Sequence, residues 1–145
     1  MGEDPELRRI MEEKMKAFLD RRSAEDSQDN EQDGVIGDGV IDVGDSDFAE
    51  KILRANLPAV VDFWASWCGP CRYMEPAFRR VAARHKGKMI FGRLNVDANR
   101  TTAMAYFVMS IPTMLIFRDG EEKGGVVGAV SEQKFESAIT PYISG

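Results

Sequence analysis

Residues 59–72 read Ala-Val-Val-Asp-Phe-Trp-Ala-Ser-Trp-Cys-Gly-Pro-Cys-Arg, a stretch in which an apolar run is followed by two closely spaced cysteines. Its first half is a mostly apolar run of the kind found in strands that are buried on both faces. The run breaks at Ser66, and a helical pattern begins at Pro70. Proline suits the first turn of a helix, because its missing N–H would have had no intrahelical partner there. The stretch therefore predicts a buried strand that leads directly into a helix.

The two cysteines of the chain form a single Cys-x-x-Cys motif at the start of that helix. Unpaired backbone N–H groups and the positive end of the helix dipole stabilise a thiolate at this position. Cys68 is therefore predicted to be the nucleophile. Cys71 lies one turn further on, on nearly the same face, and is expected to be the less exposed, resolving thiol. A disulfide that closes so short a loop would constrain the unfolded chain little, which argues against a purely structural role.

The segment 64–72 resembles the active-site segment of thioredoxins, and the resemblance covers roughly residues 39–144. It implies the thioredoxin fold and a redox-active disulfide as the working group. Further matching positions follow in the family's order along the chain: Asp62, Pro76, Asn95-Val96-Asp97, Ile111-Pro112-Thr113 and Val127-Gly128-Ala129.

Length and composition limit the class of protein. A chain of 145 residues with 43% apolar residues suits one globular domain. It contains neither a membrane-length apolar run nor the apolar centre of a signal peptide, so we expect a cytoplasmic protein that does not bind membranes. There is no basic patch to indicate nucleic acid. Two cysteines cannot complete a four-ligand zinc site, and neither a metal nor another cofactor is expected.

The charge divides the chain into three parts. Residues 1–22 carry six basic and six acidic side chains and have apolar residues at helical spacing, which predicts an amphipathic helix. This helix either packs loosely on its own domain or frays, or it docks a partner or self-associates. Residues 23–38 carry six acidic and no basic side chains, so a flexible acidic linker is predicted. Residues 39–145 form the predicted thioredoxin domain.

Within that domain the apolar periodicity and the turn residues predict nine elements. The order β-α-β-α-β-α-β-β-α implies an α/β protein with a mixed central sheet and helices on both faces. The predicted strands are 40–43, 57–65, 89–96, 113–117 and 122–127, and the predicted helices begin at a Ser46-Asp47 cap, span 70–85 and 101–108, and begin at a Ser131 cap.

Asp62 is the one carboxylate in the central strand. Burial would disfavour its charged form and raise its pKa, allowing it to exchange a proton near neutral pH. A structural aspartate with local hydrogen bonds is the alternative, and the residues alone leave both open. The resemblance implies that Asp62 accepts a proton from the resolving cysteine, with Trp64 and Arg93 in supporting positions. Arg93 stands where the family usually has lysine, and arginine does not give up its proton, so lysine-dependent tuning is in question here.

The substrate-binding surface also follows from the resemblance. It implies a cis proline at Pro112, facing the disulfide, with an extended backbone beside it that can pair with a substrate strand. Trp67 could be a core residue, but its position directly before the thiol favours the surface. Met109-Ser110 replaces a pair that is commonly Arg-Gly or similar in the family, which implies a more apolar and slightly narrower groove. The residues assigned to substrate binding are Trp67, Gly69, Pro70, Ile111, Pro112, Gly128 and Ala129.

Two functions from different classes compete. The favoured one is a dithiol–disulfide oxidoreductase, mostly monomeric, that reduces disulfides of substrate proteins and is itself reduced by an upstream enzyme of the thioredoxin-reductase type. The Gly-Pro pair between the cysteines favours it, because the family members with that pair are reducing. The other is a binding module, in which the domain is an adaptor and the N-terminal helix selects the partner. Catalysis of insulin reduction by dithiothreitol discriminates between them.

Overall fold

The structure is a computed structural model that describes residues 37–143. The predictions for residues 1–22, and for the linker up to residue 36, lie outside the described residues. The nine elements occur in the predicted order. They are β1 (Val40–Asp42), α1 (Ala49–Leu53), β2 (Ala59–Trp64), α2 (Gly69–Arg84), β3 (Ile90–Asn95), α3 (Arg100–Ala105), β4 (Thr113–Arg118), β5 (Glu121–Val127) and α4 (Glu132–Ile143).

The five strands form one mixed sheet in the order β1-β3-β2-β4-β5. β1 and β2 run parallel to β3, whereas β4 is antiparallel to both β2 and β5. β2 is the middle strand, and every residue in it except Trp64 is buried. The prediction of a buried strand that delivers the cysteines to a helix is therefore confirmed.

Apolar side chains fill the space on both faces of the sheet. On one face lie Phe48, directly before α1, and Tyr106, directly after α3, and the rings of both contact Phe117 of β4. On the other face, Phe78 of α2 and Phe135 of α4 stack with their ring centroids 5.4 Å apart. The predicted α/β architecture with helices on both faces is confirmed.

The start of the first helix differs from the prediction. Ser46-Asp47 was predicted to cap it, but α1 is a single π-type turn that begins at Ala49 without a side-chain cap. The Asp47 carboxylate instead accepts a hydrogen bond from the N–H of Gly44 at 2.8 Å and pairs with Lys51 at 3.1 Å. It closes the preceding turn rather than satisfying the first N–H groups of the helix.

The third helix is shorter than predicted. It was expected to reach Val108 but ends at Ala105, and Phe107 adopts a left-handed φ of 55°, which a helix does not tolerate. Its N-terminus is capped from a distance, because the Asp45 carboxylate accepts the N–H of Thr102 at 2.8 Å. This long-range cap has no local sequence pattern.

An ion-pair cluster joins α2 to α4. Arg80 donates to Glu132 at 2.8 Å, and Arg84 donates to Glu136 at 2.9 Å. His85, directly after α2, lies 2.7 Å from the other oxygen of Glu136. We call these five residues the α2–α4 cluster.

Within residues 37–143, no helix is long and apolar enough to span a membrane.

Candidate active site

The two cysteines lie where β2 passes into α2. Cys68 is the N-cap residue of α2, and its Sγ accepts a hydrogen bond from the N–H of Cys71 at 3.2 Å. The two residues form a disulfide, with their Cα atoms 5.3 Å apart. Cys68 is 4% exposed and Cys71 is fully buried, which agrees with the expected order of exposure. Cys68, at the N-terminus of α2, is thus the more accessible of the two cysteines.

A loop with a cis peptide bond faces this disulfide. The bond joins Ile111 to Pro112, and the Ile111 carbonyl oxygen lies 3.8 Å from the Sγ of Cys68. Pro112 is buried, and its carbonyl accepts the N–H of Gly128 at 2.7 Å. This hydrogen bond connects the loop to the residue that follows β5, so two of the predicted substrate-binding segments lie side by side.

The surface around the disulfide is partly apolar. Trp67 is 67% exposed, and its indole N–H donates to the Asp97 carboxylate at 2.8 Å, which fixes the ring on the surface. Gly69, Pro70 and Ala129 are also exposed, and Ile111 is half-buried. Met109, which precedes the cis-proline loop, is 90% exposed.

Asp62 is fully buried in β2. Removal of the carboxylate from water raises its pKa to about 6, although the nearby positive charge of Arg93 opposes this rise. Its Oδ2 accepts a long hydrogen bond of 3.4 Å from Arg93, and its Oδ1 has no hydrogen-bond partner among the described residues. The raised pKa expected from the apolar strand is present.

Arg93 lies in β3, directly opposite Asp62. It is 5% exposed, and its guanidinium stacks on the ring of Trp64, 4.2 Å from the ring centroid. Its Nη1 also lies 3.4 Å from the carboxylate of Glu75 in α2. One cation is therefore shared between two carboxylates.

Glu75 and Asp97 are polar neighbours of the site that sequence reasoning did not single out. Glu75 could have been found from helical spacing, because it lies one turn after Cys71 on the same side of α2. Asp97 was noted only as part of a matching segment, and its contact with Trp67 spans a separation of 30 residues.

Among residues 37–143, no group of three or more His, Cys, Asp or Glu side chains could hold a metal ion.

A disulfide between two cysteines at a helix N-terminus, beside a cis-proline backbone segment and a partly apolar surface, is the arrangement of a thiol–disulfide oxidoreductase. The thioredoxin family model matches residues 39–141. The chain belongs to the thioredoxin family. This confirms the predicted resemblance, and the chain is a dithiol–disulfide oxidoreductase.

The similar proteins include thioredoxins of algae, bacteria and plants. The thioredoxin of Porphyra purpurea is 40% identical over 105 residues, which are 72% of this chain and 98% of that protein. The thioredoxin of Synechocystis sp. is 42% identical over 101 residues, which are 70% and 94% of the two chains. The chloroplastic M-type thioredoxin of Spinacia oleracea is 40% identical over 105 residues, which are 72% of this chain and 58% of that protein.

Proposed function

We propose that Cys68 is the attacking thiol and Cys71 the resolving thiol in the reduction of disulfides in substrate proteins. The Cys68 thiolate attacks one substrate sulfur, the substrate S–S bond breaks, and the second substrate sulfur leaves and takes up a proton. The Cys71 thiolate then attacks Cys68, which forms the Cys68–Cys71 disulfide and releases the first substrate sulfur. Two electrons pass from the dithiol to the substrate, and no cofactor takes part. The observation that carries this assignment is the position of Cys68 as the N-cap of α2.

In this proposal Asp62 accepts the proton that Cys71 must lose before it can attack. A pKa of about 6 leaves Asp62 largely ionised at neutral pH, yet a far better base than a free aspartate. Its burial and its unpaired Oδ1 support this role, because that oxygen has an open position for a proton.

We propose that the substrate binds across the cis-proline loop and the apolar surface around Cys68. The Ile111 carbonyl beside the Cys68 sulfur supports this proposal, because it places backbone next to the sulfur that a substrate must reach. Trp67 and Pro70 would then contact substrate side chains on one side of the sulfur, and Gly128 and Ala129 on the other. Gly69 leaves the approach to the sulfur open, because no atom lies within 4 Å of the position of an added methyl group.

Family membership implies an upstream reductase in general, and we propose one of the thioredoxin-reductase type. The assignments of residues 1–22 as an amphipathic helix, of 23–38 as a flexible acidic linker and of 39–145 as the thioredoxin domain stay predictions, and so do both alternatives for what the helix packs on. A cytoplasmic location also stays a prediction, because relatives of this chain include chloroplastic proteins. Fractionation of cells that express the tagged full chain tests it.

The roles of the two cysteines are tested with single serine variants. Cys71→Ser is expected to accumulate a mixed disulfide with insulin, because nothing resolves the bond to Cys68. Cys68→Ser is expected to lose activity without trapping substrate. Non-reducing electrophoresis and mass spectrometry measure both, with the double serine variant as the control. If Cys68→Ser instead traps insulin, the two roles are reversed.

A further inference from the structure

Arg93 lies between two carboxylates that belong to different elements. Its Nε is 3.4 Å from Asp62 Oδ2, and its Nη1 is 3.4 Å from Glu75 Oε2. Neither contact is short, so the guanidinium is not fully committed to either carboxylate. Arg93 is nearly fully buried, and its stacking on Trp64 limits its movement.

Glu75 is itself held in place from its other side. The Oε2 atom that faces Arg93 also accepts a hydrogen bond of 2.9 Å from the Nε of Arg79, one helical turn further along α2. Arg79 in turn donates to Asp38 at 3.1 Å. A continuous line of alternating charges thus runs from the surface at Asp38 to the buried Asp62.

We propose that Glu75 is a positioning residue for proton transfer at Asp62, because it shares Arg93 with that carboxylate and adds a second negative charge nearby. Without Glu75, Arg93 would be free to pair fully with Asp62 and hold it ionised. With Glu75 in place, Asp62 keeps its affinity for a proton. This inference deepens the proposed function and rests on the proposed role of Asp62.

The surroundings of Asp62 leave few other groups for this task. Among the described residues, the charged groups that act on Asp62 are Arg93 from β3, which favours the ionised form, and Glu75 from α2, which favours the protonated form. On the β4 side its partner in the sheet is the apolar Met114. The Glu75 side chain is one-third exposed, so its carboxylate is in contact with water, and its negative charge still raises the pKa of Asp62. It is also the position on α2 one turn after the resolving Cys71.

The test uses the full-length chain with three variants. Glu75→Gln removes the charge at nearly constant volume, and Glu75→Ala is a second variant that suits a helix. Asp38→Asn is the matched control, because it removes a partner of Arg79 at the surface but leaves the contact between Glu75 and Arg93 intact. Circular dichroism verifies that each variant is folded.

The first readout is the pKa of the Asp62 carboxyl, measured by carbon-13 NMR. Both Glu75 variants are expected to lower it by up to about one pH unit, as the loss of one nearby charge implies. Asp38→Asn is expected to leave it unchanged. Arg93→Met is expected to shift it in the opposite direction, because it removes the cation and leaves Glu75. An unchanged or raised Asp62 pKa in both Glu75 variants overturns the inference.

The second readout is the rate of reduction of a fluorogenic disulfide peptide between pH 5 and 8. The rate of Glu75→Gln relative to wild type is expected to be roughly two- to fivefold higher at pH 5 than at pH 8. At pH 5 a larger fraction of Asp62 is ionised in the variant than in wild type, whereas at pH 8 Asp62 is ionised in both. A structural role for Glu75 would change the rate equally at all pH values. Asp62→Asn separates the two proposals. If it keeps the wild-type pH dependence, the role of Asp62 is wrong. If it removes that dependence but Glu75→Gln matches wild type, only the role of Glu75 is wrong.

Discussion

Asp62 holds a proton more tightly in the folded chain than it would in the unfolded chain, and this has a cost in stability. Its pKa is raised to about 6 from an ordinary value of 3.8 because the folded protein removes it from water. Since the folded pKa is the higher one, the penalty is absent below about pH 4, grows between pH 4 and 6, and is complete above pH 6. Asp62→Asn is therefore expected to stabilise the oxidised protein by up to about 3 kcal/mol at pH 7, and by much less at pH 4.

Urea unfolding of both proteins at pH 4 and pH 7 measures this difference. A gain of the same size at both pH values would mean that ionisation of Asp62 is not its source. The burial of this residue was predictable from the sequence, because it interrupts an apolar run. The sequence could not predict that Asp62 and Glu75 share Arg93. These three residues lie on three different elements, β2, α2 and β3, and come into contact only in the packed fold.

Among the elements, the β4–β5 hairpin was the easiest to predict and the first helix the hardest. Asp119-Gly120 indicates a two-residue turn, and both residues have positive φ, of 56° and 80°. The Asp47 side chain looked like a helix cap in sequence, but it bonds backwards to Gly44. Short polar side chains can serve a turn or a helix start equally well, so the local sequence could not distinguish them.

Close packing between β4 and β5 leads to a prediction at Gly125. A methyl group added there would lie 2.7 Å from the Met114 carbonyl oxygen and 2.9 Å from a methyl carbon of Leu115. Since the first contact is with backbone, relief requires the strands to separate. Gly125→Ala is expected to lower the free energy of unfolding by about 1–3 kcal/mol, measured by chemical denaturation. Lys123→Ala, an exposed position in the same strand, is the control. Equal stability of both variants would show that β5 adjusts freely.

For the whole molecule, the question is where the folded domain begins. The sequence placed the boundary before Gly39, from charge and composition. Asp38 nevertheless pairs with Arg79 at 3.1 Å and accepts the N–H of Val40 at 3.0 Å, and the Gly37 carbonyl accepts a hydrogen bond from Lys86. Composition could not predict these contacts, because an aspartate in an acidic segment looks the same whether or not it finds an arginine.

Two truncated chains test the boundary. A chain that starts at Gly37 is expected to keep the thermal midpoint and the insulin-reductase rate of the full chain. A chain that starts at Gly39 is expected to lose about 1 kcal/mol, a few degrees in midpoint, because it lacks the Asp38 contacts. Differential scanning calorimetry measures both. A drop of many degrees in the Gly37 chain would mean that residues 1–36 are part of the folded core.

The α2–α4 cluster has a consequence for behaviour on heating. The hydration of charged groups becomes less favourable as temperature rises, so the free-energy cost of removing the five side chains of the cluster from water falls. The stabilisation from each unit of buried apolar area, by contrast, levels off. At low salt, the stabilisation that the α2–α4 cluster gives to the contact between the two helices is therefore expected to fall less on heating than that of apolar packing alone. High salt has the opposite effect, because these side chains are exposed enough for mobile ions to screen them.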